Sequence, residues 1–139
     1  VVDGGVVPAA DYHFAMGWIA FVQEHYDSAI SHFELSLERR PAMWNNYPLG
    51  LCYLAVGRLS DAVDTFESVR HRYDYSWALE PIAAATIHYH TGVAYERSGW
   101  NDRAIGCYRE FIEIWKDADP GAPYLDDARE RLARLSQAP

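Results

Sequence analysis

Histidine is the first residue type to consider for chemistry, because neutral imidazole is the commonest metal ligand in proteins. His88 and His90 are the closest histidine pair in the sequence. Residues two apart on a helix point about 200° away from each other, so one ion cannot reach both imidazoles. The remaining histidines are scattered and fit helix surfaces or turns: His13, His25, His32 and His71. We therefore expect neither a metal site nor a cofactor.

The two cysteines are the candidates for nucleophilic or redox chemistry. Cys52 and Cys107 lie far apart and form no CxxC pair, so the sequence predicts neither a disulfide framework nor a zinc knuckle. A reactive thiolate needs a cationic or helix N-terminal setting. Arg109 is the one cation close to Cys107 in sequence, and both cysteines stand in apolar stretches. We expect both thiols to be buried and unreactive.

Acidic residues cluster towards the end of the chain, where they could suggest a calcium site. The cluster lacks the alternating Asp-x-Asp-x-Asp-Gly pattern and distal Glu of a calcium loop. Acids in a loop and at a helix start are favoured by the helix dipole, which explains them more simply. No GxSxG, Walker, Rossmann or zincin motif occurs, so we predict that the chain is not an enzyme. The acids are Asp117, Asp119, Asp126, Asp127 and Glu130.

The composition is that of one globular domain, with 139 residues, 50% hydrophobic and 23% charged. Its net charge of −8 repels phosphate backbones and anionic lipids, which argues against a nucleic-acid partner. No apolar stretch approaches the roughly 18 residues of a membrane helix. We expect a soluble chain and favour the cytoplasm, although no targeting signal establishes a compartment. Because it starts at Val1, we interpret it as a processed protein or a piece of a longer one.

An internal period organises the chain. A glycine recurs at Gly17, Gly50 and Gly92, at spacings of 33 and 42 residues. The longer spacing predicts a nine-residue insertion between the second and third repeats. Apolar residues at helical spacing flank a short break in each repeat, so each predicts a helix, a tight turn and a second helix. An alanine follows each glycine by twelve residues and an aromatic follows by sixteen: Ala29, Ala62 and Ala104, then Phe33, Phe66 and Tyr108.

We predict helices at about 10–24, 27–39, 46–56, 60–72, 81–98 and 101–116, and a seventh at 124–135. The small residues should let the two helix axes of a repeat approach closely. The recurring aromatic should then fill the space against the neighbouring repeat. The seventh helix has a charged outer face and should cap the sixth.

This pattern resembles the tetratricopeptide repeat, with its Gly and Tyr on the first helix, Gly at the turn, Ala then Phe on the second, and closing Pro. The third repeat, residues 89–108, follows the pattern closely. The first has the closing Pro41, but Glu24 replaces the turn glycine and Ala20 replaces the tyrosine. The second keeps Gly57 but has no closing proline. The resemblance covers roughly residues 10–118.

The resemblance implies an all-α solenoid of three repeats, at about 10–42, 43–75 and 85–118, with the insertion near 73–80. An extended lead-in, 1–9, comes before it, and a loop with the capping helix, 119–139, follows. The C-terminal part is also similar to the end of tetratricopeptide segments in large bacterial regulatory proteins, which implies a bacterial origin.

In this family, the first helices of successive repeats line a concave groove where partners dock. Aromatic residues make up 14% of this chain, and Trp, Tyr and Arg dominate binding energy at interfaces. The resemblance therefore implies a scaffold or adaptor module that binds a peptide or helix of a partner protein. Phe14, Ala15 and Trp18 stand where chaperone-tail-binding relatives have Lys and Asn, so that ligand class does not fit. The implied groove residues are Phe14, Trp18, Phe21, Trp44, Tyr47, Leu51, Tyr89, Val93, Glu96 and Arg97.

Three other interpretations remain open. The aromatics could pack against the lead-in, the insertion or a further repeat. The chain could be a structural subunit that assembles head to tail with other copies of itself, with residues 1–8 as a strap. It could also be a small-molecule or lipid sensor of a larger regulatory protein.

Overall fold

A computed structural model describes residues 9–41, 46–70, 81–118 and 120–137, and all regular structure in these ranges is α-helical. This confirms the all-α class, and each helix boundary lies within two residues of its predicted place. Ala9, assigned to the lead-in, begins the first helix; residues 1–8, the insertion near 73–80 and Trp44 lie outside the described residues. The helices are α1 Ala9–Val22, α2 Tyr26–Arg39, α3 Asn46–Ala55, α4 Leu59–Arg70, α5 Pro81–Arg97, α6 Asn101–Trp115 and α7 Leu125–Gln137.

The chain divides into two compact units, Val1–Thr65 and Phe66–Pro139, with the boundary inside α4. In the N-terminal unit, α1 packs on α2 and α2 packs on α3. In the C-terminal unit, α5 packs on α6 and α6 packs on α7. None of the helices in the described ranges is long and apolar enough to cross a bilayer.

An aromatic ring seated on a glycine holds a helix pair together in each unit. A Cβ atom at Gly17 would lie 2.7 Å from the Phe33 ring, and one at Gly92 would lie 2.7 Å from the Tyr108 ring. Both rings are completely buried. The sequence placed the recurring aromatics against the neighbouring repeat, and the Phe66 ring does stack on His90 of the third repeat, with centroids 6.4 Å apart. Phe33 and Tyr108 instead pack on the glycine of their own repeat, because the missing Cβ opens space there.

The three turns within the repeats share one backbone geometry. Gly57 and Gly99 have φ values of +79° and +82°, and Glu24 has the same left-handed conformation at +61°. Such a residue commonly ends a helix, because it lets the following amide donate to a carbonyl five residues back. Glu24 takes this conformation at a cost that glycine avoids. The amide-to-carbonyl bonds, each 2.9 Å, are His25 to Ala20, Arg58 to Tyr53 and Trp100 to Tyr95.

A tyrosine–glutamate hydrogen bond joins one repeat to the next. The Tyr53 hydroxyl donates to Glu34 at 2.7 Å, and the Tyr95 hydroxyl donates to Glu67 at 3.0 Å. Each tyrosine comes three residues after its repeat glycine, and each glutamate directly follows the aromatic of the preceding repeat. Ala20 occupies the tyrosine position of α1, so α1 lacks the donor of this bond.

We expect Gly92→Ala to destabilise the chain by about 1–3 kcal/mol, because the new methyl group collides with the buried Tyr108 ring. Gly106→Ala is the matched control in the same helix pair, where a Cβ meets no atom within 4 Å. A helix-interior glycine costs about 0.5–1 kcal/mol relative to alanine, so the control should be stabilised by that amount. Urea denaturation of both variants measures the difference, and equal unfolding free energies would contradict the packing.

We expect Glu24→Gly to stabilise the chain by about 1 kcal/mol, since glycine adopts positive φ without steric cost. The control is Gly99→Ala, at φ +82°, where a Cβ has no neighbour within 4 Å and the only penalty is in the backbone. That variant should lose about 1 kcal/mol. Thermal denaturation shows whether each substitution raises or lowers the stability of the chain. A destabilised Glu24→Gly chain would show that the Glu24 side chain contributes more to stability than the backbone strain costs.

Candidate partner-binding site

Four aromatic rings form a cluster in the N-terminal unit. Phe14, Trp18 and Phe21 are spaced four and three residues apart, so they lie along one face of α1. Trp18 contacts each of the other three rings nearly edge to face, with centroids 6.3 Å from Phe14, 5.5 Å from Phe21 and 5.8 Å from Phe33. Edge-to-face is a preferred geometry of aromatic pairs. We call these four residues the aromatic cluster. Its innermost ring is Phe33, which packs on Gly17, and the other three rings lie between Phe33 and the surface.

The cluster becomes more exposed from the core to the surface. Phe33 is completely buried, Phe14 and Phe21 are half-buried, and Trp18 is 37% exposed. Three neighbouring rings therefore restrain the indole, while more than a third of the surface of Trp18 stays accessible. The sequence placed these three α1 residues in one groove, and the structure brings them together. Tyr47 and Leu51, predicted for the same surface, are half-buried on α3.

The predicted groove residues on α5 have different surroundings, because α7 engages two of them. Glu96 accepts hydrogen bonds from the Tyr108 hydroxyl at 2.6 Å, Arg131 at 3.1 Å and Arg134 at 2.6 Å. Its side chain is only 15% exposed. Tyr89 is buried as well. Val93 and Arg97, in contrast, are half-buried and exposed, respectively.

The Tyr89 side chain is held by the start of α7. Its hydroxyl donates to Asp127, and its ring stacks on Tyr124 with centroids 4.6 Å apart. Arg131 donates to Asp127 at 2.6 Å. The last helix therefore acts as more than an apolar cover. Side chains 35 to 38 residues apart in sequence form a polar network that the sequence did not predict.

The polar network keeps its two carboxylates ionised. Burial disfavours the charged form of Glu96, but the hydrogen bonds from Tyr108, Arg134 and Arg131 outweigh it and lower its pKa. Burial also disfavours the charged form of Asp127, but the hydrogen bonds from Tyr89 and Arg131 outweigh it and lower the pKa of Asp127. The attachment of α7 thus depends on charge-assisted hydrogen bonds, which are stronger than neutral ones.

Two histidines that lie far apart in sequence meet in the structure. The Nδ1 atoms of His13 and His32 lie 3.0 Å apart, and they come together only because α1 packs on α2. His88 and His90 have different neighbours, as expected: His88 Nδ1 lies 3.1 Å from Glu110, and the His90 ring contacts Tyr124. Within the described ranges, no three His, Cys, Asp or Glu side chains are placed to hold one metal ion.

The cysteines have the surroundings of structural residues. Cys52 and Cys107 are buried, with 0% and 2% exposure. Burial raises the pKa of each thiol to about 12, and the Arg70 charge opposes this only partly at Cys107. Both thiols therefore stay protonated at neutral pH, whereas a nucleophilic cysteine has to be a thiolate.

Comparison with known proteins identifies the repeat. The tetratricopeptide repeat family model matches residues 14–76 and 47–123, which include all three glycine, alanine and aromatic sets. Tetratricopeptide repeat protein 37 of Xenopus laevis is 27% identical over 124 residues. That match covers 87% of this chain but 8% of the Xenopus protein, so the chain spans a small part of that relative's length.

We expect Glu96→Gln to destabilise the chain by about 1–3 kcal/mol at pH 7, since the hydrogen bonds from Arg131 and Arg134 lose their ionised acceptor. The folded-state pKa of Glu96 is lowered, so its contribution is present above the unfolded pKa and is lost as pH falls through the folded value. The difference from wild type should therefore shrink in acid.

Asp126→Asn is the control for Glu96→Gln, because this neighbouring carboxylate is 87% exposed and pairs only loosely with Arg129 at 3.6 Å. Its unfolding free energy should change by less than about 0.5 kcal/mol. Urea titrations at several pH values between neutrality and acid measure both variants. A Glu96→Gln deficit that stays constant over this range would contradict the network.

Proposed function

This chain belongs to the tetratricopeptide repeat family, and from that membership we propose that it is a non-catalytic scaffold or adaptor module. Repeats of this family generally mediate protein–protein interaction. The proposed ligand is a peptide or helix of a partner protein, and the proposed contact surface is centred on Trp18. The observation that carries this proposal is the 37% exposure of Trp18, a residue whose indole contacts three other rings.

A fixed, accessible tryptophan is suited to act as a binding anchor. Tryptophan is enriched among the few interface residues that supply most of the binding energy. Binding usually costs about 0.5–1.5 kcal/mol for each flexible side chain that becomes immobilised. Phe14, Phe21 and Phe33 already restrain Trp18, so less of this cost falls on association. The aromatic cluster is thus preorganised for binding a partner.

The chemistry of the surface indicates an apolar or amphipathic ligand. The rings around Trp18 carry no charge, and the next exposed residue on α1 towards the N-terminus is Ala15. The chain has a net charge of −8, so a strongly acidic segment would be repelled as it approached. We therefore propose that the partner segment brings apolar side chains to Trp18. Any charges at its edges should be predominantly basic.

We expect Trp18→Ala to weaken partner binding by about 2 kcal/mol or more, close to 30-fold, as truncated anchor aromatics do. The chain is used as bait in pull-downs. A protein that it retains is then titrated against the wild-type chain and against Trp18→Ala. Trp100→Ala is the matched control, because this tryptophan is 60% exposed at the α5–α6 turn. Undiminished binding by a folded Trp18→Ala chain, or an equal loss in Trp100→Ala, would refute the proposed surface.

A further inference from the structure

Helix α1 exposes further apolar residues beside the aromatic cluster, because Ala15 and Val22 lie three and four residues from Trp18. Tyr12, Ala15, Ile19 and Val22 are spaced three, four and three residues apart, so they lie within about 80° of one another around the helix. We call these four residues the outer row. Tyr12 is 51% exposed, Ile19 is 47% exposed and Val22 is 77% exposed, and Ala15 is exposed as well. Around the helix, the row lies opposite the buried α1 residues that face α2, which are Ala10, Gly17 and Ala20. At its edge, the Tyr12 ring also contacts His32 of α2, with centroids 6.5 Å apart.

The repeat register shows that Tyr12 and Ile19 of the outer row correspond to buried positions in the other first helices. The counterparts of Val22, which are Ala55 and Arg97, are exposed. Ile19 comes two residues after its repeat glycine, and its counterparts Cys52 in α3 and Ala94 in α5 are both 0% exposed. Tyr12 comes five residues before the glycine, and its α5 counterpart Ile87 is also 0% exposed. A contiguous apolar surface of this kind marks an interaction site.

The outer row is complementary to itself. Its three-four-three spacing reads the same in both directions along the helix. Two α1 helices related by a two-fold axis therefore run antiparallel with Tyr12 opposite Val22 and Ala15 opposite Ile19. Each contact then joins a larger with a smaller side chain, which is the arrangement that packs most closely. We propose that the outer row is the two-fold interface of a homodimer, formed by α1 of two copies of this chain.

Charge distinguishes this arrangement from a head-to-tail assembly. The exposed side chains of α7 include Arg129, Glu130 and Arg134, so an end-to-end contact through α7 would place charged groups against the apolar row. The outer row itself contains no charged residue. Because each copy carries a net charge of −8, association is least opposed where the contacting surfaces are neutral.

The interface is small, so the dimer should be weak. One face of a 14-residue helix from each copy falls below standard interface size, in the range of transient complexes. Sedimentation equilibrium of the 139-residue chain should show a mass of 15.8 kDa at low concentration, rising towards twice that value at about 100 µM and above. A mass that stays at that of the monomer over this range would overturn the proposal.

Charge substitutions test the position and register of the interface. Ile19→Asp and Ala15→Lys alter exposed side chains, so both variants should keep the wild-type circular dichroism, and each alone should sediment as a monomer. Mixed in equal amounts, they should form a heterodimer, because the antiparallel register places the introduced carboxylate of one copy opposite the introduced ammonium group of the other. Ile114→Asp, at a position 52% exposed on α6, is the control and should still dimerise. An Ile19→Asp chain that dimerises like wild type, or a mixture that stays monomeric, would overturn the proposal.

Discussion

The contact between an aromatic ring and a glycine is the constraint on which the rest of this structure depends. Phe33 on Gly17 and Tyr108 on Gly92 set how closely the two helices of a repeat approach, because a Cβ at either glycine would lie 2.7 Å from a ring. Once that distance is set, the turn must reverse the chain within a few residues, which requires the left-handed conformation of Glu24 or Gly99. The repeat is therefore determined by close packing more than by helix propensity.

Most of the fold could be predicted from the sequence, because the interactions that define a repeat lie within 20 residues of one another. The glycine, alanine and aromatic sets recur in register, so the helix pairs and their boundaries follow. The pattern did not predict that Phe33 and Tyr108 pack on the glycine of their own repeat, since it shows a missing Cβ but not which ring fills its place. The site was harder to predict. That Phe14, Trp18 and Phe21 lie together follows from their spacing on one helix face, whereas Glu96 meets Arg131 only after α7 has docked.

The two units use different chemistry at their surfaces. In the C-terminal unit, α7 is attached through ionised side chains, and the low pKa of Glu96 and Asp127 reflects how fully those charges are compensated. In the N-terminal unit, α1 is apolar apart from its polar first turns, which contain Asp11 and His13, and it carries the aromatic cluster with the outer row beside it. A helix with apolar residues on most of its faces is normally buried. The exposed faces of α1 therefore carry both the proposed partner site and the proposed dimer interface.

The central claim is that Phe33 and Tyr108 each pack on the glycine of their own repeat, and solution NMR tests it most directly. A ring directly over a glycine shifts the Hα protons of that glycine upfield and gives nuclear Overhauser contacts between those protons and the ring. We predict such shifts at Gly17 and Gly92, with contacts to Phe33 and Tyr108, respectively. Random-coil Hα shifts at both glycines, with the two rings showing contacts only to other repeats, would contradict the account.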